Sequence, residues 1–586
     1  MRKLFKYFKT VKKELISIPL LIFVEVLFEI LVPVFMSKLI DNGIQATDAF
    51  GNVVPDKEKI LFYGGLMVIS AVIALLFGIL VTKTSSKVST EFAHNIRQAQ
   101  FEKIQEYSFE NIDNFKTSSL ITRMTMDVNM IQQATNMILR VSLRAPSLII
   151  FSIVSILIFA PTLAAVFVIV IPILVFGLYI IIKNAHKHFV KMFYRIDNLN
   201  QTIQEDLIGI RTVKSYVRED YEIDRFNRAT RDVRDVAIKA ERIVIFNTPL
   251  MQFAIGLTFV LVGWFGSRLF VFGNLTEGQF ANTLTYINQV LFSLMMISHV
   301  FLLFVMSRAS VNRIIEVLEE EPFLKETENP ITEIKDGSFK FENVYFKYSS
   351  SSETDTYVLK DINLDIPSGS FVGIFGSTGT GKSTLVQLLA RLYDTSKGTI
   401  YIGGRDIKEY SLEALRKEVI LVLQKNVLFS GTVRDNIKWG KKDATDEEII
   451  SALKKAQAYD FVMKMEKGLD TWIEQGGVNV SGGQRQRLTI ARALVANPKI
   501  LILDDSTSAV DTKTDAKIRE SLSKETPDMT KVVISQRLSS IEDADIIIIM
   551  DEKGINAIGT HEELYRDSSM YKSIYDAQSR AKEVEN

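Results

Sequence analysis

Apolar and polar positions are segregated on a large scale along these 586 residues. Residues 60–82 carry no charge, and neither do 145–182, 243–267 or 278–307. A bilayer core of about 30 Å is crossed by roughly 20 helical residues. The 38 residues from Ala145 to Ile182 are too many for one crossing, and "FAPTLA" puts Pro161 in their middle. That stretch reads as two helices joined by a very short turn. Residues 15–38 form a sixth apolar run, interrupted by Glu25 and Glu29 and closed by Lys38. The pattern therefore predicts six membrane spans, at about 15–38, 60–82, 136–160, 162–182, 243–267 and 278–307. Two polar stretches of similar length, 83–144 and 183–242, keep apolar residues at helical spacing and hold almost no Pro or Gly. Each reads as a pair of helices extending roughly 35–40 Å beyond the membrane at about 1.5 Å per residue. The turning points fall at 108–119 and 205–220. Arms of this kind are suited to carrying force to something outside the bilayer.

A different pattern begins near Gly337, with short β-rich runs and glycine turns after a charged stretch containing Pro322 and Pro330. The expected organisation is a transmembrane domain over 1–320, a linker over 321–336 and a soluble α/β domain over 337–586. Composition adds little against this. The mean hydropathy is +0.14 although 24% of residues are charged, which fits apolar residues concentrated in one part of the chain. The 69 basic and 69 acidic residues balance, so nothing global points to nucleic acid. The absence of cysteine excludes disulfides and thiolate metal sites.

Local charge gives orientation. The first 13 residues hold six basic side chains and no acid, whereas Asp41, Asp48 and Asp56 follow the first span. Positive charge favours the inner side, so the N-terminus and the soluble domain are expected in the cytoplasm, on the inner (plasma) membrane. Phe5, Tyr7 and Phe8 among the lysines predict a short helix on the membrane surface. No signal peptide is expected, because the first apolar run lacks a small-residue cleavage site and leads into further spans.

In the soluble domain, "FVGIFGSTGTGKSTLVQLLARL" (371–392) reads as strand, glycine loop and helix. Gly376, then Ser377, Thr378, Gly379 and Thr380, then Gly381, Lys382 and Ser383, followed by Thr384, match the phosphate-binding loop G-x-x-x-x-G-K-[ST]. Glycines let backbone N–H groups wrap phosphates, and the helix N-terminus adds its dipole. Lys382 reaches the β- and γ-phosphates of ATP, and the Ser383 hydroxyl is a Mg²⁺ ligand. In "KILILDDSTSAVD" (499–511) an apolar strand ends in Asp504, a second Mg²⁺ ligand, followed at once by Asp505.

Between these motifs, "VNVSGGQRQRLTIARAL" (478–494) contains Ser481, Gly482, Gly483 and Gln484. This quartet resembles the signature of the ATP-binding-cassette family, and the order and spacing of the motifs fit. Tyr348 in "FKYS" resembles the aromatic that stacks on adenine. Gln424 in "LVLQKNVLFSGTVRDNI" is similar to the glutamine that approaches Mg²⁺ in the loop joining nucleotide site to membrane domain. "SAVD" (508–511), ending in Asp511, resembles the D-loop. Six spans before one cassette resemble the exporter type of half-transporter, in which 108–119 and 205–220 are coupling helices. The resemblance implies a dimer, with ATP held between one chain's phosphate loop and the other chain's signature.

Two positions depart from the family. Asp505 stands where the family has a glutamate that polarises the attacking water, and Gln536 stands where it has a histidine beside the γ-phosphate. None of the five histidines (His94, His186, His188, His299, His561) lies on that strand or its turn. In "TWIEQGG" (471–477), Glu474 and Gln475 replace a glycine and a glutamate. The signature is intact apart from Val480 where leucine is usual. The resemblance thus implies an asymmetric pair: this chain binds Mg-ATP at a poorly hydrolytic site and lends its signature to a homologous partner that has Glu and His. For cargo, resemblance to multidrug exporters implies small hydrophobic or cationic compounds, with lipid or peptide cargo open, and an ATP-sensing regulatory subunit is the alternative to a transporter. Glu25 and Glu29, one helical turn apart, are candidates for a cation-binding wall or for helix–helix hydrogen bonding. Asn282, Thr285, Asn288, Gln289 and His299 are candidates for the pathway lining.

Overall fold

The computed structural model describes residues 2–47, 53–272, 275–348, 356–506, 509–552 and 554–585; Asp48 and Ser508 lie outside them. The chain divides into two compact units, 1–105 with 118–320, and 106–117 with 321–586.

The first unit is helical. A 3₁₀ helix over Arg2–Val11 leads into α1 (Lys12–Leu39), followed by α2 (Lys57–Gln105). After α3 (Phe109–Phe115), which belongs to the second unit, come α4 (Thr117–Thr122), α5 (Val128–Phe159), α6 (Pro161–Ile208) and α7 (Ile210–Ser215). The series ends with α8 (Glu219–Val244), α9 (Asn247–Val271) and α10 (Glu277–Glu319). Among the described residues, six helical segments are long and apolar enough to cross a membrane. Phe159 and Pro161 are separated by Ala160 alone, and Pro161 opens α6 where its missing N–H is not needed. With 49 and 48 residues, α2 and α6 are each over about 70 Å long, more than twice the hydrocarbon thickness.

Packing explains several residues that composition left undecided. The N-terminal helix buries Leu4 and Val11 and stacks Phe8 on Phe92 of α2 at 3.9 Å between ring centres, while Phe5 stays exposed. Asp41 accepts hydrogen bonds from the Gly278 N–H (2.8 Å) and the Thr276 hydroxyl (2.7 Å), so an acid from beyond α1 caps the start of α10. A Cβ on Gly278 would lie 2.3 Å from the Ser37 carbonyl oxygen, so only glycine allows this approach. Where the arms continue, buried Asp127 accepts from Ser310 (2.8 Å) and from Arg313 Nε (2.8 Å), which joins α5 to α10.

The second unit holds β1 (Phe339–Phe346), β2 (Leu359–Ile366), β3 (Phe371–Gly376), β4 (Lys397–Ile402), β5 (Arg405–Asp406) and β6 (Val419–Val422). Further along are β7 (Gly431–Thr432), β8 (Trp472–Ile473), β9 (Ile500–Asp504), β10 (Thr530–Ile534), β11 (Ile546–Asp551) and β12 (Gly554–Gly559). The main sheet runs β12-β11-β3-β10-β9-β6 and is parallel except for β12. Its central strands are mostly apolar, as a sheet covered on both faces requires, although β10 opens with Thr530 and Lys531. Ile500, Leu501 and Ile502 are fully buried, and so is Ile547. A second, antiparallel sheet runs β2-β1-β4-β5. The first turning point, 108–119, contributes α3, whose first turn is closed by Ser108 and Asn111.

Candidate functional site

Register decides where the chemistry gathers. Ile534 of β10 pairs with Asp504 of β9 on one side and Ile374 of β3 on the other. The carboxyl ends of three parallel strands therefore coincide, the edge at which open α/β sheets bind ligands. A cavity of about 310 Å³ opens there. It is lined by Thr378, Gly379, Gly381, Lys382, Ser383 and Thr384 of the glycine loop and its helix, by Gln424, Asp504, Asp505 and Gln536, and by Val358 and Ile534.

The loop is shaped by its glycines. Gly379 and Gly381 have φ of +89° and +87°, and a Cβ on Gly381 would lie 2.7 Å from Leu359 Cδ2. A Cβ on Gly376 would lie 2.3 Å from the Met550 carbonyl oxygen. The Lys382 ammonium, largely buried, donates to the carbonyl oxygens of Gly376 (2.7 Å) and Ser377 (2.6 Å), and Thr380 Oγ1 donates to the Ser377 carbonyl (2.9 Å). Burial pushes the Lys382 ammonium below its ordinary range, with the charges of Asp504 and Asp505 opposing. A cation held over a ring of backbone groups fits a polyphosphate.

The Ser383 hydroxyl donates to Asp504 Oδ1 at 3.1 Å, so the two residues expected to hold Mg²⁺ already face each other. Gln424 Nε2 donates to Asp505 Oδ2 at 3.3 Å. One carboxylate, one hydroxyl and one amide suit an ion that completes its shell with phosphate and water. Burial raises the carboxyls of both Asp504 and Asp505; the Ser383 bond opposes it at the first, and the Gln424 bond at the second.

Asp505 sits in the left-handed region, with φ +48°. Its N–H donates to the Ile534 carbonyl (3.1 Å), and buried Ser506 donates through Oγ to the Val422 carbonyl (2.9 Å). Hydrogen bonds to two neighbouring strands thus pin the backbone on which Asp505 rides. Gln536 is exposed, lines the cavity, and has its carbonyl oxygen held by Gln578 Nε2 at 3.0 Å.

Other expected residues lie elsewhere. The Tyr348 hydroxyl bonds with Thr384 Oγ1 (3.0 Å) and donates to Gln387 (3.1 Å), and its ring stands edge-on to Phe346 and Tyr393. It does not line the cavity. Ser481 caps the helix Gly482–Leu494 in a reciprocal box with Gln484. A Cβ on Gly483 would lie 2.9 Å from the Ala509 carbonyl oxygen, and the Ala509 N–H donates to Gln486. Asp511 caps the helix Thr512–Glu525. None of Ser481–Gln484 or Asp511 lines the chain's own nucleotide cavity.

Sequence reasoning missed Tyr393. Its hydroxyl donates to Asp113 Oδ2 of α3 at 2.6 Å, and its ring meets Phe109. Asn111 anchors the same segment, donating to the Glu321 carbonyl (2.9 Å) and accepting from the Phe323 N–H (3.2 Å). The second turning point, 205–220, contributes α7 and exposes Leu207, Ile208, Ile210, Tyr216 and Val217.

The picture of the first span changes more. Glu25 and Glu29 are not free carboxylates: Arg144 bridges them, with Nε 3.1 Å from Glu25 Oε1 and Nη2 2.8 Å from Glu29 Oε2. Arg144 stands immediately before the charge-free stretch and drops out of any count that begins at Ala145. All three residues line a cavity of about 910 Å³, together with Arg140, Lys83, Thr285 and Gln289. Asn282 is fully buried, Asn288 bonds back to the Leu284 carbonyl, and His299 is exposed; none of the three lines the cavity.

The chain matches two family descriptions, "ABC transporter transmembrane region" over residues 15–294 and "ABC transporter" over 359–508. It is 35% identical over 559 residues to "Uncharacterized ABC transporter ATP-binding protein YfiB" of Bacillus subtilis, covering 95% of each chain. It is 32% identical over 494 residues to "ATP-dependent lipid A-core flippase" of Desulfotalea psychrophila, covering 84% of this chain and 85% of that one. Its fold matches a bacterial Atm1-family ABC exporter solved with ATP bound, with a TM-score of 0.86 at 24% identity over 97% of this chain and 99% of the other. The chain belongs to the ATP-binding-cassette transporters and has the exporter fold of a half-transporter, one six-span membrane domain followed by one ATP-binding cassette.

Proposed function

We propose that the chain is one subunit of a heterodimeric, ATP-driven exporter that moves hydrophobic or amphipathic compounds outward across the plasma membrane. The N-terminus and the cassette are cytoplasmic in this reading. Loop backbone N–H groups and Lys382 hold the phosphates of ATP, and Ser383, Asp504 and Gln424 hold Mg²⁺. When bound, the ion neutralises charge on the β- and γ-phosphates. Residue 505 orients the attacking water. As an aspartate its carboxylate stops about 1 Å or more short of a glutamate's, and a misplacement of that size costs about a hundredfold in rate. Gln536 hydrogen-bonds the γ-phosphate but offers no titrating proton.

The pinned backbone at Asp505 carries this reading. A backbone shift toward the nucleotide could offset the missing methylene, but it would break bonds to both β10 and the end of β6. The position of the signature supports assembly with a partner: Ser481–Gln484 lie outside the chain's own cavity, and the apolar tip of the second arm stands exposed. Because that signature is nearly intact while the chain's own site is altered, a partner with Glu and His uses it best. A lipid cargo is a second reading, favoured by the 32% identity to a protein named a lipid A-core flippase.

ATPase measurement on the purified chain, alone and with its partner, is the test. The chain alone is expected to bind ATP and turn over slowly, with activity appearing in the pair. Hydrolysis by the chain alone at about 1 s⁻¹ or faster, ordinary for enzymes, would refute the reading.

A further inference from the structure

The cavity in the membrane domain carries a charge pattern that the glutamates alone do not suggest. Three cations, Lys83, Arg140 and Arg144, line it against two carboxylates, Glu25 and Glu29. Arg144 pairs with one oxygen of each carboxylate, and among the described residues the second oxygen of Glu25, Oε2, is buried without a hydrogen-bond partner. Among the described residues, Arg140 and Lys83 have no carboxylate partner within ion-pair distance. Arg140 lies one helical turn from Arg144 on α5, so their side chains share a face. Arg144 is 15 residues from the end of α5 at Phe159. That is about 22 Å from the far end of the span, so Arg144 lies roughly 8 Å inside the near edge of a hydrocarbon layer of about 30 Å, and Arg140 and Lys83, both exposed, lie at that edge. The facing wall is apolar, from Val32, Ala74, Leu75 and Ile79. About 910 Å³ is at the upper end of small-molecule sites.

We propose that this cavity binds an amphipathic anion: a phosphate, sulfonate or carboxylate head meets Arg140 and Lys83, and an apolar body lies along α2. The inference rests on the exporter reading and names its cargo class. It replaces the cation site that Glu25 and Glu29 suggest in isolation, because those carboxylates already have their cation. Arg144 acts as a reserve. Loosening either glutamate would turn its guanidinium toward the ligand head.

The test uses the full chain in phosphatidylcholine nanodiscs and two photoreactive probes with the same alkyl tail, one ending in phosphate and one in trimethylammonium. Saturable labelling of the α2 wall by the phosphate probe is expected, with little by its counterpart. Arg140→Ala with Lys83→Ala should weaken half-saturation by the phosphate probe about ten- to a hundredfold, the range for a lost charged hydrogen bond. Glu29→Gln, which keeps shape and frees Arg144, should tighten it and remains informative if the double variant fails to fold. Nanodiscs containing phosphatidylglycerol separate the sources of the head. Lost labelling assigns the site to an anionic lipid, and retained labelling to a soluble amphiphile; both support an anion site. Tighter labelling by trimethylammonium, or an unchanged phosphate half-saturation in the double variant, overturns the proposal. Such a result beside ATP-driven movement of neutral compounds would leave the exporter reading intact. Normal phosphate labelling without ATP-driven movement of any amphipath would overturn the exporter reading instead.

Discussion

Replacing Asp505 by Glu and Gln536 by His should together restore hydrolysis at this chain's nucleotide site, where either change alone restores almost none. The structure sets the terms. Asp505 rides on a backbone fixed by the Ile534 carbonyl and, through Ser506, by the Val422 carbonyl, so a longer side chain extends into the cavity without moving its attachment. Its φ of +48° is tolerated better by Asp than by Glu, at a cost of order 1 kcal/mol, small for a domain with this much buried sheet. The new carboxylate must also leave Gln424, whose 3.3 Å bond is long and weak. Recovered reach is then worth about a hundredfold, and an imidazole on the strand end at 536 about a further hundredfold. Groups that act as a unit are strongly non-additive, so each single variant should stay within about tenfold of the parent and the pair should rise by a hundredfold or more. The assay is single-turnover release of phosphate from ATP in the assembled pair, with the partner's own glutamate replaced to silence its site. A silent double variant facing a demonstrably intact partner signature would refute the reasoning, as would full recovery from Asp505→Glu alone.

Three further outcomes are expected. Lys382→Ala should weaken ATP binding at this chain's own site, whereas Ser481→Ala should slow hydrolysis of ATP held by the partner; site-resolved nucleotide trapping separates them, and equal effects on one site would contradict the shared arrangement. Tyr393→Phe removes the bond to Asp113, whose exposed carboxylate water then takes up, so α3 should loosen by about 1 kcal/mol, read as faster amide exchange over 108–115. Because burial raises the Asp504 carboxyl above the ordinary aspartate value of 3.8, its proton returns at a higher pH than a free aspartate's. The Mg²⁺-dependent part of ATP affinity should therefore be full near neutrality and begin to fall, on acidification, before the pH at which a free aspartate titrates; titration calorimetry with and without Mg²⁺ measures this.

The apolar runs and the glycine loop were legible because each is local: a span is read from about 20 consecutive residues, and the phosphate loop from eight. Partnerships across the chain were not. Arg144 meets Glu29 across 115 positions, and Tyr393 meets Asp113 across 280. The i, i+4 pair Arg140 and Arg144 at the edge of an apolar run was the available signal for the cavity cations, and scanning for charge-free windows discards it. Tyr348 shows another limit. Thr384 and Gln387 hold its hydroxyl, a partnership across 36 and 39 positions that the motif around it does not contain. The rigidity behind Asp505 needed the β9–β10 register, which no pattern within "ILILDD" contains.

The clasp formed by Asn111 has a consequence for how the protein is made. Its partners Glu321 and Phe323 lie 210 and 212 positions downstream, beyond every remaining membrane helix. At about 5–20 residues per second, a ribosome needs roughly 10–40 s to supply them after Asn111 has emerged. Tyr393, which covers Phe109 and Asp113, comes later still. Throughout that interval the tip of the first arm stands uncovered beside the ribosome, while the rest of the bundle is inserted. A chain that terminates before the cassette never covers it. The few side chains that hold α3 in the finished protein are thus missing from an unfinished one, which leaves Phe109 and Asn111 without their partners.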